Sequence, residues 1–200
     1  MRDRYDEIRE RIDTFTIINC EHRNWFWRLI GHTAVVYKDP QIGQLMVLES
    51  TQMGKSGISG VQLSPMGKWV NEYPGTVKIR ILQRPHGYWV GNVRGQQQQA
   101  AFFIKKYLGT SYPDVKSWEG KKKLILSALD LEIDGKDILT YTGDDQGIFC
   151  TMLVIMFYQY CGLMESWLLD KEFEPDDTRE SGIAEKLLID CVWSDEIEIY

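Results

Sequence analysis

Cys150 stands at the head of an apolar run, GIFCTMLVIMFYQYCGL, that reads as a helix from Cys150 to Tyr160 stopped at Gly162. A thiol attacks well only as the thiolate, and a helix N-terminus and a neighbouring imidazole both lower its pKa. Cys150 is placed for the first of these. Its backbone N–H, unsatisfied in the first turn, is also a candidate donor to an oxyanion forming on an attacked carbonyl. For the base, the chain offers His22, His32 and His86. His32 is the best placed, since it begins a strand directly after Gly31, whereas His86 follows Pro85 in a polar stretch. A third group must hold the imidazole tautomer and favour imidazolium, and Glu49, at the end of the next strand in VLES, suits that role. Cys150, His32 and Glu49 together make a complete set for nucleophilic attack on a carbonyl.

Each of the three has a plainer reading when taken alone. A cysteine in an apolar helix is usually a buried thiol, a strand histidine is usually a hydrogen-bonded sheet residue, and a glutamate at a strand end is usually solvated. Their weight comes from their combination. The other cysteines, Cys20, Cys161 and Cys191, have no C-x-x-C spacing, which argues against a zinc ribbon or a disulfide framework. Cys20, in INCEH, is expected as a half-buried loop cysteine. GKSG at 54–57 lacks the earlier glycine of a phosphate loop and is set aside.

The elements that must position the set can be read from periodicity. Residues 2–12 form a short amphipathic helix with Tyr5, Ile8 and Ile12 on one face, followed by a strand over 15–19. HTAVVYKD and QLMVLEST are β-rich and joined through Pro40, Gln41 and Gly43, a close antiparallel pair that puts His32 and Glu49 on neighbouring strands. GISGVQLSPM gives another strand, with Ser64 capping and Pro65 starting a short helix through Trp69. TVKIRILQ alternates over 76–83 as a further strand, for a sheet four or five strands wide. Amphipathic helices are expected over 96–108, closed by Gly109, and over 118–129. A polar, turn-rich stretch at 130–147 then leads to Cys150, and the tail carries a helix over 179–188 and a final strand. Trp25, Phe26, Trp27, Trp69, Tyr88 and Trp89 are candidates for stacking on a substrate, with Trp25 and Trp27 the preferred pair, although aromatics beside a small sheet usually pack in the core or rim.

At 200 residues with 44% hydrophobic content, the chain can bury one sizeable core, so residues 1–200 are read as a single domain with the short helix at 2–12 and a C-terminal extension at 170–200. A net charge of -6 and scattered basic residues give no general attraction to nucleic acid, and KKK at 121–123 reads as a solvated helix face. The charged start MRDRYDEIRERIDTF is unlike a signal peptide, and no apolar run reaches the ~20 residues of a membrane span. Synthesis in the cytoplasm follows as an expectation, with a phage virion or the host cytoplasm as compatible destinations.

The order of these pieces carries a family resemblance. DTFTII, an aromatic-rich loop, GHTAVVY, VLES and GVQLSPMGKWV, then a glycine-led FCTMLV and YQYCGL, resemble the permuted papain-like cysteine hydrolases, the YiiX/YebB-like branch of the NlpC superfamily. The resemblance covers roughly residues 13–165, with the histidine before the cysteine, the reverse of ordinary NlpC enzymes. It implies an α+β fold, a papain-like antiparallel sheet flanked by helices, with Cys150 as nucleophile, His32 as base and Glu49 as the polar third member. It further implies a cysteine peptidase or amidase that needs no cofactor or metal, acts on a peptide or amide substrate, and has peptidoglycan stem peptides as the leading class. Thr151 and Met152 stand where Ser-Glu is common in the family. NCEH also resembles the cysteine motif of lecithin retinol acyltransferase-like proteins, but there the motif follows the histidine strand and here it precedes it. The alternative is a papain-like fold without turnover, kept as a binding or virion structural module.

Overall fold

Successive side chains of the central strands, buried in continuous runs, point alternately into two apolar layers on the two faces of one sheet. The computed structural model describes residues 3–23, 31–52, 59–83, 90–112, 150–164 and 192–199. Within these, α1 (Asp3–Ile8) and a 3-10 turn (Arg9–Arg11) lead into β1 (Ile17–His22) and β2 (His32–Lys38). β3 (Leu45–Thr51), β4 (Gly60–Pro65), α2 (Met66–Glu72), β5 (Gly75–Arg80) and β6 (Leu82–Gln83) come next. Then follow α3 (Val90–Tyr107), α4 (Cys150–Tyr160), β7 (Val192–Trp193) and β8 (Ile197–Glu198). The main sheet has six strands in the order β4-β3-β2-β1-β5-β8, one more than the widest expected, and every pairing is antiparallel. Helices on an antiparallel sheet make an α+β architecture.

On one face Ile18, Cys20, Ala34, Val36, Val47, Val77 and Ile79 pack under Ile8 and Ile12 and under Met66 and Val70 of α2. On the other, Ile17, Val35, Leu48 and Val61 meet Phe103 and Ile104 of α3 and Leu153, Val154, Phe157 and Tyr158 of α4. Period-2 alternation sends successive strand residues to opposite layers, so a one-residue slip would exchange the two cores. Register is thereby fixed from both sides.

The α4 helix contains β-branched Thr151, Val154 and Ile155, which favour a helix poorly in isolation, but all three are buried. Tertiary packing holds it. Its end is a Schellman motif: Gly162, at φ +69°, donates to the Gln159 carbonyl at 3.0 Å, and Leu163 donates to that of Tyr158 at 2.9 Å.

Several local expectations are corrected. The first strand runs over 17–22 rather than 15–19, because Phe15 adopts a left-handed backbone at φ +76°. Its ring is buried against Phe157 and Tyr158, and the Tyr158 hydroxyl donates to its carbonyl. Cys20, expected in a half-buried loop, is a buried residue of β1. The strand read over 76–83 breaks at Ile81. There Ser194 accepts from the Ile81 N–H through Oγ at 3.0 Å and donates its own N–H to the Ile81 carbonyl at 2.9 Å, turning β6 away to pair with β7. Pro65, not Ser64, occupies the N-cap of α2, and no side chain caps it. Finally, α3 starts at Val90, a turn and a half before the expected residue 96. The proposed helices over 118–129 and 179–188 and the turn-rich stretch at 130–147 lie outside the described residues, as do KKK, GKSG, His86 and Cys191.

Beyond α3 the chain protects the sheet edge. Gly109 donates to the Val61 carbonyl at 2.9 Å, and Val61 donates to the Thr110 carbonyl at 2.8 Å, so backbone covers the outer side of β4. The two chains approach so closely at Gly60 that a Cβ there would lie 2.2 Å from the Thr110 oxygen.

Candidate active site

His32 is the first residue of β2, and the preceding Gly31 has φ +67°, a left-handed conformation that redirects the chain into the sheet. Val35 pairs with Leu48 in the β2–β3 ladder, so His32 and Glu49 are diagonal neighbours on one face. Their side chains meet: His32 Nε2 lies 2.8 Å from Glu49 Oε2. With side-chain exposures of 16% and 8%, both are largely withdrawn from water. That shielding strengthens their attraction beyond the value of an exposed pair.

Cys150, half-buried at the first residue of α4, comes to the same strand end. α4 packs on the opposite layer from Glu49, and it is the helix tip that reaches His32. The thiol hydrogen-bonds with the His32 ring and accepts from the Thr33 backbone N–H. Its sulfur is also 3.9 Å from the Thr151 hydroxyl. Because Nε2 is committed to Glu49, Nδ1 is the ring nitrogen left for the sulfur. Thr33 itself is fixed by a 2.8 Å hydrogen bond to the buried Asn19 amide oxygen.

The electrostatics follow from these contacts. Burial alone would lower the pKa of His32, but hydrogen bonds with Cys150 and Glu49 and their negative charges overcome it and push it up to about 10. For Cys150, burial would raise the pKa. The His32 hydrogen bond and charge, with the Thr33 N–H and the Thr151 hydroxyl, outweigh that and bring it below its ordinary value of 9.0. Both shifts act in the same direction, favouring a thiolate beside an imidazolium.

Compared with protein-family models and with curated proteins, the chain matches none. The site is read from its own geometry.

Cys150, His32 and Glu49 are thus brought together, whereas the expected substrate stackers Trp25 and Trp27 lie outside the described residues, with Phe26, Tyr88 and Trp89. Trp69, the remaining aromatic of that group, is bound into the site: its indole N–H donates to Glu49 Oε1 at 2.8 Å. Tyr73 was not singled out by sequence, yet its ring stacks on His32 at 6.5 Å and 10°. Tyr112 was missed as well, and its phenol is pushed above its ordinary pKa by burial and by the nearby Cys150 charge. Cys20 is the cross-strand partner of His32 in β1 and shares a hydrogen bond with Tyr73. Among the described residues no group of three His, Cys, Asp or Glu side chains is arranged to hold a metal, and no helix is long and apolar enough to cross a membrane.

Proposed function

We propose that the chain is a thiol hydrolase that cleaves an amide bond through Cys150, His32 and Glu49. The observation that carries this reading is the double engagement of one imidazole, hydrogen-bonded to the Cys150 thiol and, through Nε2, to Glu49. A structural histidine in a sheet has no need of a thiolate on one side and a buried carboxylate on the other.

In the proposed cycle the Cys150 sulfur attacks the amide carbon, forming a C–S bond and moving the carbonyl electron pair onto oxygen. The N–H groups of the first turn of α4, that of Cys150 included, have no partner within the helix and favour the oxyanion. Collapse breaks the C–N bond as the His32 imidazolium gives its Nδ1 proton to the departing amine, leaving a thioester and a neutral ring. His32 then takes a proton from water as its oxygen attacks the thioester. Breaking the C–S bond releases the acid and restores the ion pair. Glu49 holds the Nε2 proton throughout and stabilises each imidazolium state.

The resemblance to permuted papain-like hydrolases, a papain-like arrangement included, favours peptidoglycan stem peptides as the substrate class. Two measurements test the reading. Labelling by a peptide-amide warhead should occur at Cys150, survive Cys20→Ala, and vanish in Cys150→Ala and His32→Ala; labelling at Cys20 instead would overturn the assignment. Digestion of purified peptidoglycan, with mass analysis of the fragments, should show stem-peptide bonds cut by the wild type and not by Cys150→Ala. Intact peptidoglycan alongside a labelled Cys150 would move the substrate to another amide class, and absence of both would favour a binding module.

A further inference from the structure

Glu49 has two carboxylate oxygens, and each is held by a different element. Oε2 faces His32 Nε2 at 2.8 Å from within the sheet, and Oε1 accepts the Trp69 indole N–H at 2.8 Å from α2. Both distances are those of charge-assisted hydrogen bonds, and an ionised carboxylate can only accept. A carboxylate bound on both oxygens cannot turn away from the imidazole without breaking the indole contact. Trp69 is in turn placed by neighbours outside the site: Met66 and Val70 anchor α2 in the apolar layer beneath it.

A second contact returns from the same helix to the same ring. Tyr73, at the C-terminal cap of α2, stacks on Trp69 at 5.1 Å and 27° and on His32 at 6.5 Å and 10°. His22 meets the Tyr73 ring edge-on at 6.4 Å and 84°. The contacts close into a circuit running His32, Glu49, Trp69, Tyr73 and back to His32. Rotation of the imidazole about its side-chain bonds is opposed by the hydrogen bond in its plane and by the stacked ring over its face.

We propose that Trp69 is a positioning residue for the Cys150–His32 pair, its indole N–H locking Glu49 onto His32 while its ring, through Tyr73, holds the imidazole plane. Trp69 acts through Glu49 and Tyr73. The inference rests on the reading of Cys150 and His32 as a reacting pair, but its test needs no substrate.

The readout is the rate of iodoacetamide alkylation at Cys150, resolved by peptide mass mapping between pH 4 and 10, because only the thiolate reacts. In the wild type a reactive limb should extend well below the ordinary thiol range. Trp69→Phe keeps an aromatic ring and deletes the donor, and should move the midpoint up by about one pH unit, a roughly tenfold loss of rate at pH 6. Val70→Ala loosens the same helix without touching Glu49 and should leave the midpoint in place. A Trp69→Phe profile that superimposes on the wild type would overturn the proposal, as would an equal shift in Val70→Ala. In the unaltered protein, the Trp69 indole proton resonance should move with the ionisation of His32, and a pH-invariant resonance would also overturn it. Amide cleavage with an unshifted Trp69→Phe profile would sink this inference alone. A shifted profile without cleavage would sink the hydrolase reading and leave the positioning role standing. A wild type with no low-pH limb would end both.

Discussion

His32 Nε2 and Glu49 Oε2 are 2.8 Å apart although the residues sit on different strands, because the antiparallel β2–β3 register makes them diagonal neighbours. The contact is written into the pairing of the hairpin and does not depend on a loop holding its shape. The ring's state in turn sets that of the Cys150 thiol.

Removing the ring should therefore be felt at the sulfur. His32→Ala deletes the largest influence lowering the Cys150 pKa and leaves burial, which raises it. Alkylation of Cys150 at pH 6.5 should fall about 10- to 100-fold, read by mass mapping of the modified peptide. An unchanged rate would mean that the helix terminus, the Thr33 N–H and the Thr151 hydroxyl suffice to activate the thiol.

Stability should carry the signature of the same group. The folded-state pKa of His32, about 10, is raised above its ordinary 6.5, so the protonated ring stabilises the fold. That contribution is fully present below pH 6.5, declines as pH rises, and is gone once pH passes about 10. Urea denaturation of the wild type and His32→Gln at a series of pH values should show their stability difference shrinking between about pH 9.0, where an ordinary thiol ionises, and about 10. Below that, the proton gained by the ring is offset by the one Cys150 gives up. A difference that grows with pH would contradict the sign.

Glu49→Gln tests the tautomer. A glutamine can still accept from the Trp69 indole through its oxygen, but then presents an NH2 group to His32 Nε2 where a carboxylate stood. The ring should be driven to carry its proton on Nδ1 and to ionise below its wild-type value of about 10. Nitrogen-15 NMR of the histidine side chains reads both, and a wild-type titration in the variant would remove Glu49 from the account.

Gly60→Ala addresses the edge of the sheet. Its backbone sits at φ +123°, and a Cβ would lie 2.2 Å from the Thr110 carbonyl oxygen, which accepts the Val61 N–H at 2.8 Å. Either the bond or the strand must give, and the loss should be about 2 kcal/mol or more by urea denaturation. Gly43→Ala, at φ +68° with open space around it, should cost no more than about 1–2 kcal/mol.

How much of this could be seen in the sequence depends on distance along the chain. His32 after Gly31, the turn through Pro40 and Gly43, and Glu49 at the end of the next apolar run are local signals, and the hairpin pairing follows from them. The α4 helix is equally local, bounded by Cys150 and Gly162. Phe15 is different: nothing around it announces a left-handed backbone, since its buried position depends on Phe157 and Tyr158 from a helix far along the chain. The break at Ile81 is made by Ser194, 113 residues away. Trp69 was visible as an aromatic on a short helix, but its aim at Glu49 depends on how α2 falls across the sheet after β4. No periodicity encodes that.

The wide separation of the proposed nucleophile and base along the chain has a consequence for biosynthesis. His32, Glu49 and Trp69 are all made before Cys150, which follows Trp69 by roughly 80 residues. At ribosomal speeds of about 5–20 residues/s, several seconds pass between them. During that interval the nascent chain holds the parts of the proposed base without the Cys150 thiol. The reactive sulfur arrives only when its helix docks on the opposite side of the sheet, so chemical competence is deferred until both layers of the core have closed.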